Sequence, residues 1–432
     1  MDMEQEPAPQ AYVGIDWATV ENEVCVVDSK GEVRAQKSFR NDGDGLQAMG
    51  AWLLTKAATV ASRIWVAIEV PHGPVVETLL ELGFVVHTIN PKQLDRFRDR
   101  FSLAGAKDDR LDARVLADSL RTDAHAFRRL RVADPTLIEL REWSRIHDEL
   151  QEEKNRLTNR IREQLRRYYP QMLAVDDDPG ANWMLDLFKL APTPEQAKRR
   201  QRASYARILR KNRIRRLDAD QVRELLRQQS VTVAPGTEEA ATAHIEQLAA
   251  RVRLVNAQIK DADRRLDVLL GAMQRSTPGP AEPSGSDEES SPGERLEQHD
   301  AAILRSLPGV GRVVLAVLLA EATEPVAARD YHALRTLSGI APVTQQSGRS
   351  KVVIMRRACH PRLREALHHW ARSATQNDPR SKRRYAELRA RGHSHGRALR
   401  SIGDALLRTA CAMLREGTHF DPNRQNSRVL AA

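Results

Sequence analysis

The chain has 432 residues. A chain of this length usually forms more than one hydrophobic core, so two or three domains are expected. Its formal net charge is +10 and only 4% of its residues are aromatic. No apolar run approaches the roughly 18 residues of a membrane span, and the acidic N-terminus does not resemble a signal peptide. Three scattered cysteines lack disulfide or metal-ligand spacing, which predicts a cytoplasmic protein. The excess of Arg favours a polyanionic partner such as nucleic acid.

The N-terminal part of the chain, after a predicted disordered tail at residues 1–10, alternates between strand and helix patterns. Strands are expected at Ala11–Asp16, Glu23–Asp28, Val33–Phe39, Ile64–Glu69 and Phe84–Ile89, with helices at Gly45–Ala57 and Pro74–Leu82. Three strands in a meander, followed by alternating helix and strand, predict a mixed α/β sheet flanked by helices. The ribonuclease-H-like architecture has this order.

Four acids stand at the ends of these elements. Asp16 and Glu69 end two apolar strands, whereas Asp109 and Asp112 share one face at the start of a helix that Asp108 would cap. A turn, a helix cap or a solvated helix start would explain each acid alone. Together they would repel one another unless they held hard cations such as Mg²⁺. One or two such ions at the edge of a sheet would suit displacement at a phosphodiester.

The region from residue 134 to residue 273 reads as helical. An apolar stripe that ends near Tyr168 predicts a first long helix, and a second stripe with alternating steps of three and four predicts a coiled coil. The second stripe consists of Ile245, Leu248, Val252, Val255, Ile259, Ala262, Leu266, Leu269 and Met273. A dimer and a long hairpin within one chain would both bury this stripe, and the sequence leaves both open.

A basic segment, Gln196–Arg216, lies between the two stripes and contains ten Lys or Arg residues and no acid. Tyr205, Ile208 and Leu209 would form the apolar face of an amphipathic helix. A solvated helix rarely carries so many like charges, so we expect contact with the phosphates of RNA or DNA. The residues assigned to this contact are Lys198, Arg199, Arg200, Arg202, Arg207, Arg210, Lys211 and Arg213.

Residues 276–293 form a low-complexity segment of Pro, Gly, Ser and acids, which predicts a disordered linker at residues 274–299. Beyond it, Leu307–Gly311 lies between two helical runs and resembles a helix-hairpin-helix turn. Its glycines, Gly309 and Gly311, would let backbone N–H groups approach a phosphate. An ordinary helix connection with a Gly C-cap is the alternative.

The rest of the C-terminal region, up to a tail at residues 421–432, reads as helical and basic. It is interrupted by a predicted loop that contains Ser347 and several Lys and Arg residues. The loop feeds an amphipathic helix. The basic residues of this region assigned to nucleic-acid contact are Arg349, Lys351, Arg356 and Arg357.

Five segments in order resemble the DEDD insertion-sequence transposases, the group that includes the Piv-type invertases and the bridge-RNA-guided recombinases. The segments are Gly14–Asp16, Ile68–Glu69, Lys107–Ala113, Leu307–Gly311, and Gly339–Pro342 with Ser347-Gly348. The resemblance covers residues 11–120 and 300–420. The middle of the chain resembles the family only in its coiled-coil pattern.

This resemblance implies a RuvC-like domain at residues 11–130, a coiled-coil and basic helical region at 134–273, and a mostly α-helical transposase domain at 300–420. Asp16, Glu69, Asp109 and Asp112 would bind Mg²⁺, and Ser347 would be the nucleophile that forms a transient covalent link to a DNA phosphate. These five residues make up the implied catalytic set.

The resemblance also implies partners. They are donor and target DNA, a structured guide RNA that pairs with both, and further copies of the chain in a dimer or synaptic tetramer. In this family the serine and the acids that meet are thought to come from different protomers. The implied location is the nucleoid of a bacterium, with no membrane contact.

Two departures from the family pattern affect the serine region. Arg356-Arg357-Ala358-Cys359 stands where members often have Ser-Lys-x-Gly, so the loop backbone is expected to differ. Ser350 lies close enough to Ser347 to compete for the role of nucleophile.

Two other classes of function stay open. One is a non-catalytic nucleic-acid-binding scaffold, and the other is an actin-like or sugar-kinase ATPase, although Trp17-Ala18-Thr19 lacks the glycine of their phosphate loop.

Overall fold

The computed structural model describes residues 8–89, 91–100, 108–130, 134–275, 300–348 and 350–422. The chain divides into two compact units, Met1–Asp134 and Pro135–Ala432. Most of the predicted tails, residues 276–299 of the predicted linker, and Arg349 lie outside the described residues.

The first unit is built on a six-stranded mixed sheet with the order β3-β2-β1-β4-β5-β6. Its strands are β1 Ala11–Asp16, β2 Glu21–Asp28, β3 Val33–Arg40, β4 Ile64–Ile68, β5 Val85–Thr88 and β6 Arg128–Arg129. β1 pairs antiparallel with β2 and parallel with β4, which in turn pairs parallel with β5. The meander and the five predicted strands are confirmed. The two-residue β6 is an addition, because so short a strand carries no readable alternation.

Helices cover both faces of this sheet. They are α1 Gly43–Ala57, α2 Pro74–Glu81, α3 Pro91–Arg98 and α4 Asp109–Thr122, with short 3₁₀ turns at Ala61–Arg63 and Ala124–Ala126. Val13 and Ile15 of β1 pack in one core with residues of α1 and α2. Tyr12 belongs to a separate core with residues of α3 and α4. Alternate residues of β1 therefore serve opposite faces, as the pleat of a strand requires.

Gly14 is the point where α4 meets the sheet. A Cβ atom at this position would lie 1.9 Å from the carbonyl oxygen of Ala113 and 2.6 Å from the backbone nitrogen of Ala117. Real Cβ atoms do not approach backbone this closely, so only glycine lets the helix rest directly on β1. This contact determines how near the first turn of α4 lies to the end of β1.

The second unit begins with two long helices, α5 Pro135–Tyr168 and α11 Thr237–Arg275, which pack along each other. The predicted apolar stripe of α11 is buried within the chain, with Leu270 rather than Leu269 at the fully buried position. The hairpin within one chain, which the sequence left open beside the dimer, is therefore the observed packing. Five short helices connect the long pair: α6 Pro170–Val175, α7 Asn182–Leu190, α8 Pro194–Arg199, α9 Arg202–Lys211 and α10 Ala219–Arg227. We call these five the tip helices.

The C-terminal part of the second unit is mostly helical. After a helical stretch within residues 300–305, its elements are α12 Arg312–Glu321, α13 Thr323–Ala327, α14 Tyr331–Leu337, β7 Val343–Ser347, β8 Ser350–Ile354, α15 Pro361–Asn377, α16 Pro379–Ala390 and α17 His395–Glu416. Their core includes Trp370 and Leu407 and extends to Leu140 of α5 and Leu266 of α11. The base of the long hairpin and the C-terminal helices thus share one core. No helix in the described parts of either unit is long and apolar enough to cross a lipid bilayer.

We expect Gly14→Ala to destabilise the first unit by at least about 3 kcal/mol, because the added methyl group would meet helix backbone that cannot move aside. Urea unfolding followed by tryptophan fluorescence measures this loss. Gly43→Ala is the matched control, since a Cβ there meets nothing within 4 Å. Equal unfolding free energies for the two variants would contradict the assigned role of Gly14.

Candidate functional site

Asp16 and Glu69 stand on neighbouring strand ends. Asp16 is the last residue of β1, and Glu69 directly follows β4. The parallel register pairs Ile15 with Ile68, so the next residue of each strand reaches the same edge of the sheet. Adjacent strands lie about 4.8 Å apart, which brings these two acids side by side.

Asp109 and Asp112 lie on the first turn of α4. The helix begins as the sequence predicts, with the Asp108 side chain accepting a hydrogen bond from the backbone N–H of Arg110 at 3.1 Å. Asp109 is exposed, whereas Asp112 is buried. Because Asp112 directly precedes Ala113, which rests on Gly14, the contact of α4 with β1 also brings Asp112 close to the sheet.

The carboxylate of Asp112 is held by an arginine that sequence reasoning missed. Arg98 of α3 donates from Nε to one oxygen of Asp112 at 2.6 Å and from Nη2 to the other at 2.8 Å. Such bidentate, charge-assisted pairs are among the stronger hydrogen-bonded contacts in proteins. The sequence offers no signal for this pair, since the two residues belong to different helices and share no motif.

A fifth acid, Glu23, lies at the same edge of the sheet. It is the cross-strand partner of Asp16 in the antiparallel pairing of β1 and β2. The hydroxyl of Ser38 donates a hydrogen bond to one carboxylate oxygen of Glu23, and the other oxygen is buried without a hydrogen-bond partner among the described residues. The available sequence signal was the strand pattern of "ENEVCVVD". Once the register of the β1–β2 hairpin is known, this strand sets Glu23 opposite the end of β1.

The donor chemistry of this edge fits Mg²⁺, which prefers carboxylate oxygens and often takes only one or two from the protein. Among the described residues, however, no three His, Cys, Asp or Glu side chains are grouped as ligands of one ion. Asp112 is engaged by Arg98 at both oxygens. The arrangement therefore fits an ion held by Asp16 and Glu69, and Asp112 would share its carboxylate between such an ion and Arg98.

Ser347 lies at the tip of a β-hairpin rather than in the predicted loop. β7 and β8 pair antiparallel, and the register sets Ser347 directly opposite Ser350. β-branched residues such as Val343, Val352 and Val353 favour strands, which explains why this segment is extended. Both serines are exposed and share one face of the hairpin, so the geometry does not choose between them.

Gly339 accommodates the unusual Cys359 near the base of this hairpin. Gly339 has a φ of +73°, and a Cβ at this position would lie 2.7 Å from the sulfur of Cys359. Arg356 donates a hydrogen bond from Nε to the carbonyl oxygen of Ala341 at 3.3 Å, while Lys351 and Arg357 are exposed. The cysteine side chain thus uses the space that the glycine leaves open.

The turn Leu307–Gly311 is fixed against α15. Gly309 has a φ of +83°, and a Cβ there would lie 2.6 Å from the backbone nitrogen of Ala374. The indole of Trp370 donates a hydrogen bond to the carbonyl oxygen of Pro308 at 2.9 Å. The glycine is therefore required both by its left-handed conformation and by the close helix.

The other glycine of the turn, Gly311, precedes α12 without capping it through a side chain. A Cβ at Gly311 would meet nothing within 4 Å. The first turn of α12 lines an open cavity of about 510 Å³, whose lining also includes His369 and Arg372. An open helix N-terminus beside a basic side chain favours an anion.

The basic segment folds as two short helices, α8 and α9, instead of one amphipathic helix, and Tyr205 and Leu209 form its buried side. Several of its cations are already paired. Lys198 pairs with Glu195, Arg202 with Asp220 and Lys211 with Asp186 at 2.7–3.0 Å, and Arg200 donates to the carbonyl oxygen of Leu190.

Other cations of the segment are exposed and free of such pairs. The side chains of Arg207, Arg210 and Arg213 make no ion pair or hydrogen bond with the described residues. The same holds for Arg199. We call Arg207, Arg210 and Arg213 the free tip arginines.

Two sequence families match this chain. A DEDD transposase family of the IS110 type matches residues 13–170, and the transposase family IS116/IS110/IS902 matches residues 301–386. The chain belongs to the IS110 family of transposases. The first match contains Asp16, Glu69, Asp109 and Asp112, and the second contains Ser347. Membership favours the transposase interpretation over the ATPase alternative, and a transposase implies DNA as substrate.

Known relatives of this IS110-family chain carry transposon names. It is 56% identical over 209 residues to "Putative transposase y4uE" of Sinorhizobium fredii, a match that spans 48% of this chain and 58% of that protein. It is 29% identical to "Mini-circle putative transposase for IS117" of Streptomyces coelicolor over 99% of both chains. It is also 29% identical to "Insertion element IS110 uncharacterized 43.6 kDa protein" of the same species, over 76% of this chain and 75% of that protein.

We expect Arg98→Met to lower the unfolding free energy by about 3 kcal/mol, because it leaves the buried Asp112 carboxylate without its counter-charge. The double variant Arg98→Met/Asp112→Asn should recover most of this loss, and a urea-unfolding double-mutant cycle measures both. Arg100→Met is the control, since its pair with Asp123 is exposed and worth less than about 1 kcal/mol. A loss in Arg98→Met no larger than that of the control would contradict the assigned pair.

Proposed function

We propose that this chain cuts and rejoins DNA strands by transesterification, with Ser347 as the nucleophile and with Mg²⁺ held at the β1–β4 edge of the sheet. The observation that carries the proposal is the parallel register of β1 and β4, which ends two neighbouring strands in Asp16 and Glu69. Family membership supports it, because the two family matches contain the four acids and the serine.

In the proposed reaction, the hydroxyl oxygen of Ser347 attacks a backbone phosphorus atom and loses its proton. A bond between this oxygen and the phosphorus forms while the bond to one deoxyribose oxygen breaks, and that oxygen takes up a proton and leaves as a free hydroxyl. The number of phosphodiester bonds is unchanged, so the protein–DNA link can be reversed by a deoxyribose hydroxyl of another strand. Ser347 is preferred over Ser350 because it occupies the position of the serine in the family motif.

Asp16 and Glu69 would hold the metal ion, and Asp109 and Asp112 of α4 would complete its surroundings. When bound, Mg²⁺ would supply positive charge that stabilises the phosphate during displacement. Arg98 balances the charge of Asp112 in the present arrangement. The acids thus bind the ion, α4 and β1 orient them, and the serine supplies the attacking oxygen.

Two surfaces of the second unit suit a nucleic-acid backbone. The open first turn of α12, with Gly309, Gly311 and the neighbouring Arg372, would bind a DNA phosphate. The free tip arginines would bind phosphates of a structured guide RNA. Arg207 and Arg210 are three residues apart on α9, so they present their charges on one side of the helix.

A non-catalytic nucleic-acid-binding scaffold is the second candidate function. The observation that favours it is the ion pair of Arg98 with Asp112, because the guanidinium already balances the charge of this carboxylate and occupies a lone pair on each of its oxygens. A metal ion at Asp112 would share this carboxylate with Arg98. Variants of the acids and of the serine distinguish the two functions.

We expect the full chain to excise its own coding segment from a plasmid that carries this segment with its natural flanking DNA. Amplification across the rejoined junction measures excision. Ser347→Ala should lower the junction yield by a factor on the order of 1000 or more, because the attacking oxygen is gone. Asp16→Asn and Glu69→Gln should lower the yield by a factor on the order of 100 or more, because each would remove a charged ligand of the metal ion.

Ser350→Ala is the matched control for the serine and should excise normally. Each inactive variant should unfold at the same urea concentration as the native chain, which separates lost chemistry from lost folding. Normal excision by Ser347→Ala or by Asp16→Asn would refute the catalytic assignment. Normal binding with no excision by the native chain would favour the scaffold.

We expect the protein to co-purify with one discrete RNA, which sequencing identifies. Arg207→Ala/Arg210→Ala/Arg213→Ala should weaken binding of this RNA and reduce its salt dependence by about two to three phosphate contacts. The control Lys198→Ala/Arg202→Ala/Lys211→Ala changes the net charge equally but removes cations that already have acidic partners. Equal losses in both triple variants would contradict a specific role for the free tip arginines.

A further inference from the structure

The β7–β8 hairpin is exposed on both faces. Every residue of β8 and all but Val343 of β7 are exposed. The exposed fraction is 51% for Val352 and 61% for Val353, and Ile354 and Met355 are exposed as well. A two-stranded hairpin has little stability of its own in water. Large apolar side chains in this number, in one short segment, indicate a surface that is covered when the protein works.

The strand register sorts the hairpin side chains into two faces. Gln345 lies opposite Val352 behind the two serines, on the face that carries Ser347. Gln346 lies opposite Lys351 on the other face. The first face therefore combines an amide with hydroxyl and apolar groups. The second face has an amide and an ammonium group, with Thr344 and Val353 behind them.

Charge and composition identify the partner of this ribbon as a polyanion. Residues 343–357, which contain the hairpin and the three residues after it, have four Lys or Arg residues and no Asp or Glu. The chain also has no Phe, Tyr or Trp between Tyr331 and Trp370, although aromatic side chains are enriched where proteins bind one another. A second copy of the same segment would bring like charges together. The phosphates of nucleic acid would balance these positive charges, and the amide groups of the glutamines can hydrogen-bond to base edges.

The dimensions favour the major groove of duplex DNA. This groove is about 12 Å wide and admits a two-stranded β-ribbon. Glutamine recognises adenine there through its N6 and N7 atoms, and apolar side chains contact the methyl group of thymine. Gln345, Gln346, Val352 and Val353 supply both kinds of group on opposite faces of one ribbon.

We propose that the β7–β8 hairpin enters the major groove beside the cleaved phosphate, where Gln345 and Gln346 contact base edges. The inference rests on the proposed function in that the substrate is DNA and Ser347 attacks it. It adds a protein component to sequence choice: the bases next to the break are read by this ribbon, whatever an RNA guide reads elsewhere.

The test uses the excision assay with the base pairs next to the break randomised, and the rejoined junctions are sequenced. The native chain should prefer one base at one or two positions by about tenfold to a hundredfold. Gln345→Ala or Gln346→Ala should lose the preference at its position while the total junction yield falls by less than tenfold. Gln247→Ala, which removes an exposed amide from α11, is the matched control and should keep both the preference and the yield.

A second measurement does not depend on DNA cleavage by the protein. The full-length Ser347→Ala protein, with its accompanying RNA, is bound to duplex DNA spanning the break and treated with dimethyl sulfate, which methylates guanine N7 in the major groove. Protection of N7 next to the break supports the inference even if excision fails, so failure of the proposed function is distinguishable. Open N7 positions, or base preferences that are absent or unchanged in both Gln variants, would overturn it. A Val352→Lys/Val353→Lys variant that loses self-association but keeps the base preference would assign the ribbon to a second copy instead and overturn it too.

Discussion

The close contact between β1 and α4 at Gly14 is the constraint on which the first unit depends. Helix backbone lies where any other residue would carry a Cβ. Because the helix rests directly on the strand, its first turn, with Asp109 and Asp112, lies near the edge where β1 and β4 end in acids. The pair of Arg98 with Asp112 balances the charge of the buried carboxylate in this turn.

A buried charge network has a comparable role in the second unit. Glu321, at the end of α12, accepts hydrogen bonds from Arg145 of α5 and from Arg362 of α15. Burial by itself raises the pKa of the Glu321 carboxyl, but Arg145, with His360 and Arg362, more than offsets it, so the pKa lies below its usual value. The network therefore stabilises this unit at neutral pH and loses strength as acid protonates Glu321. It connects α5, at the base of the long hairpin, to α15, the helix that follows the β7–β8 hairpin.

The elements that the sequence predicted well are those whose signal is local. The apolar strands ending in Asp16 and Glu69, the Asp108 cap and the long stripe of α11 were all visible because each depends on neighbouring residues in the chain. The hairpin at Ser347 was predicted as a loop, since its polar Gln and Ser residues hide the strand pattern of Val343 and Val352. Arg98 and Glu23 were missed for a different reason, because their partners come from other elements.

By itself, the sequence determined the order of elements, the acids at strand ends, the excess of basic residues at the tip helices and membership of a transposase family. Periodicity, helix caps and charge act over a few residues, so they can be read along the chain. Tertiary structure alone decided which cations were already paired, that both oxygens of Asp112 are engaged by Arg98, and that the α11 stripe is buried against α5. Such pairings depend on distances between remote segments, which only the packed chain specifies.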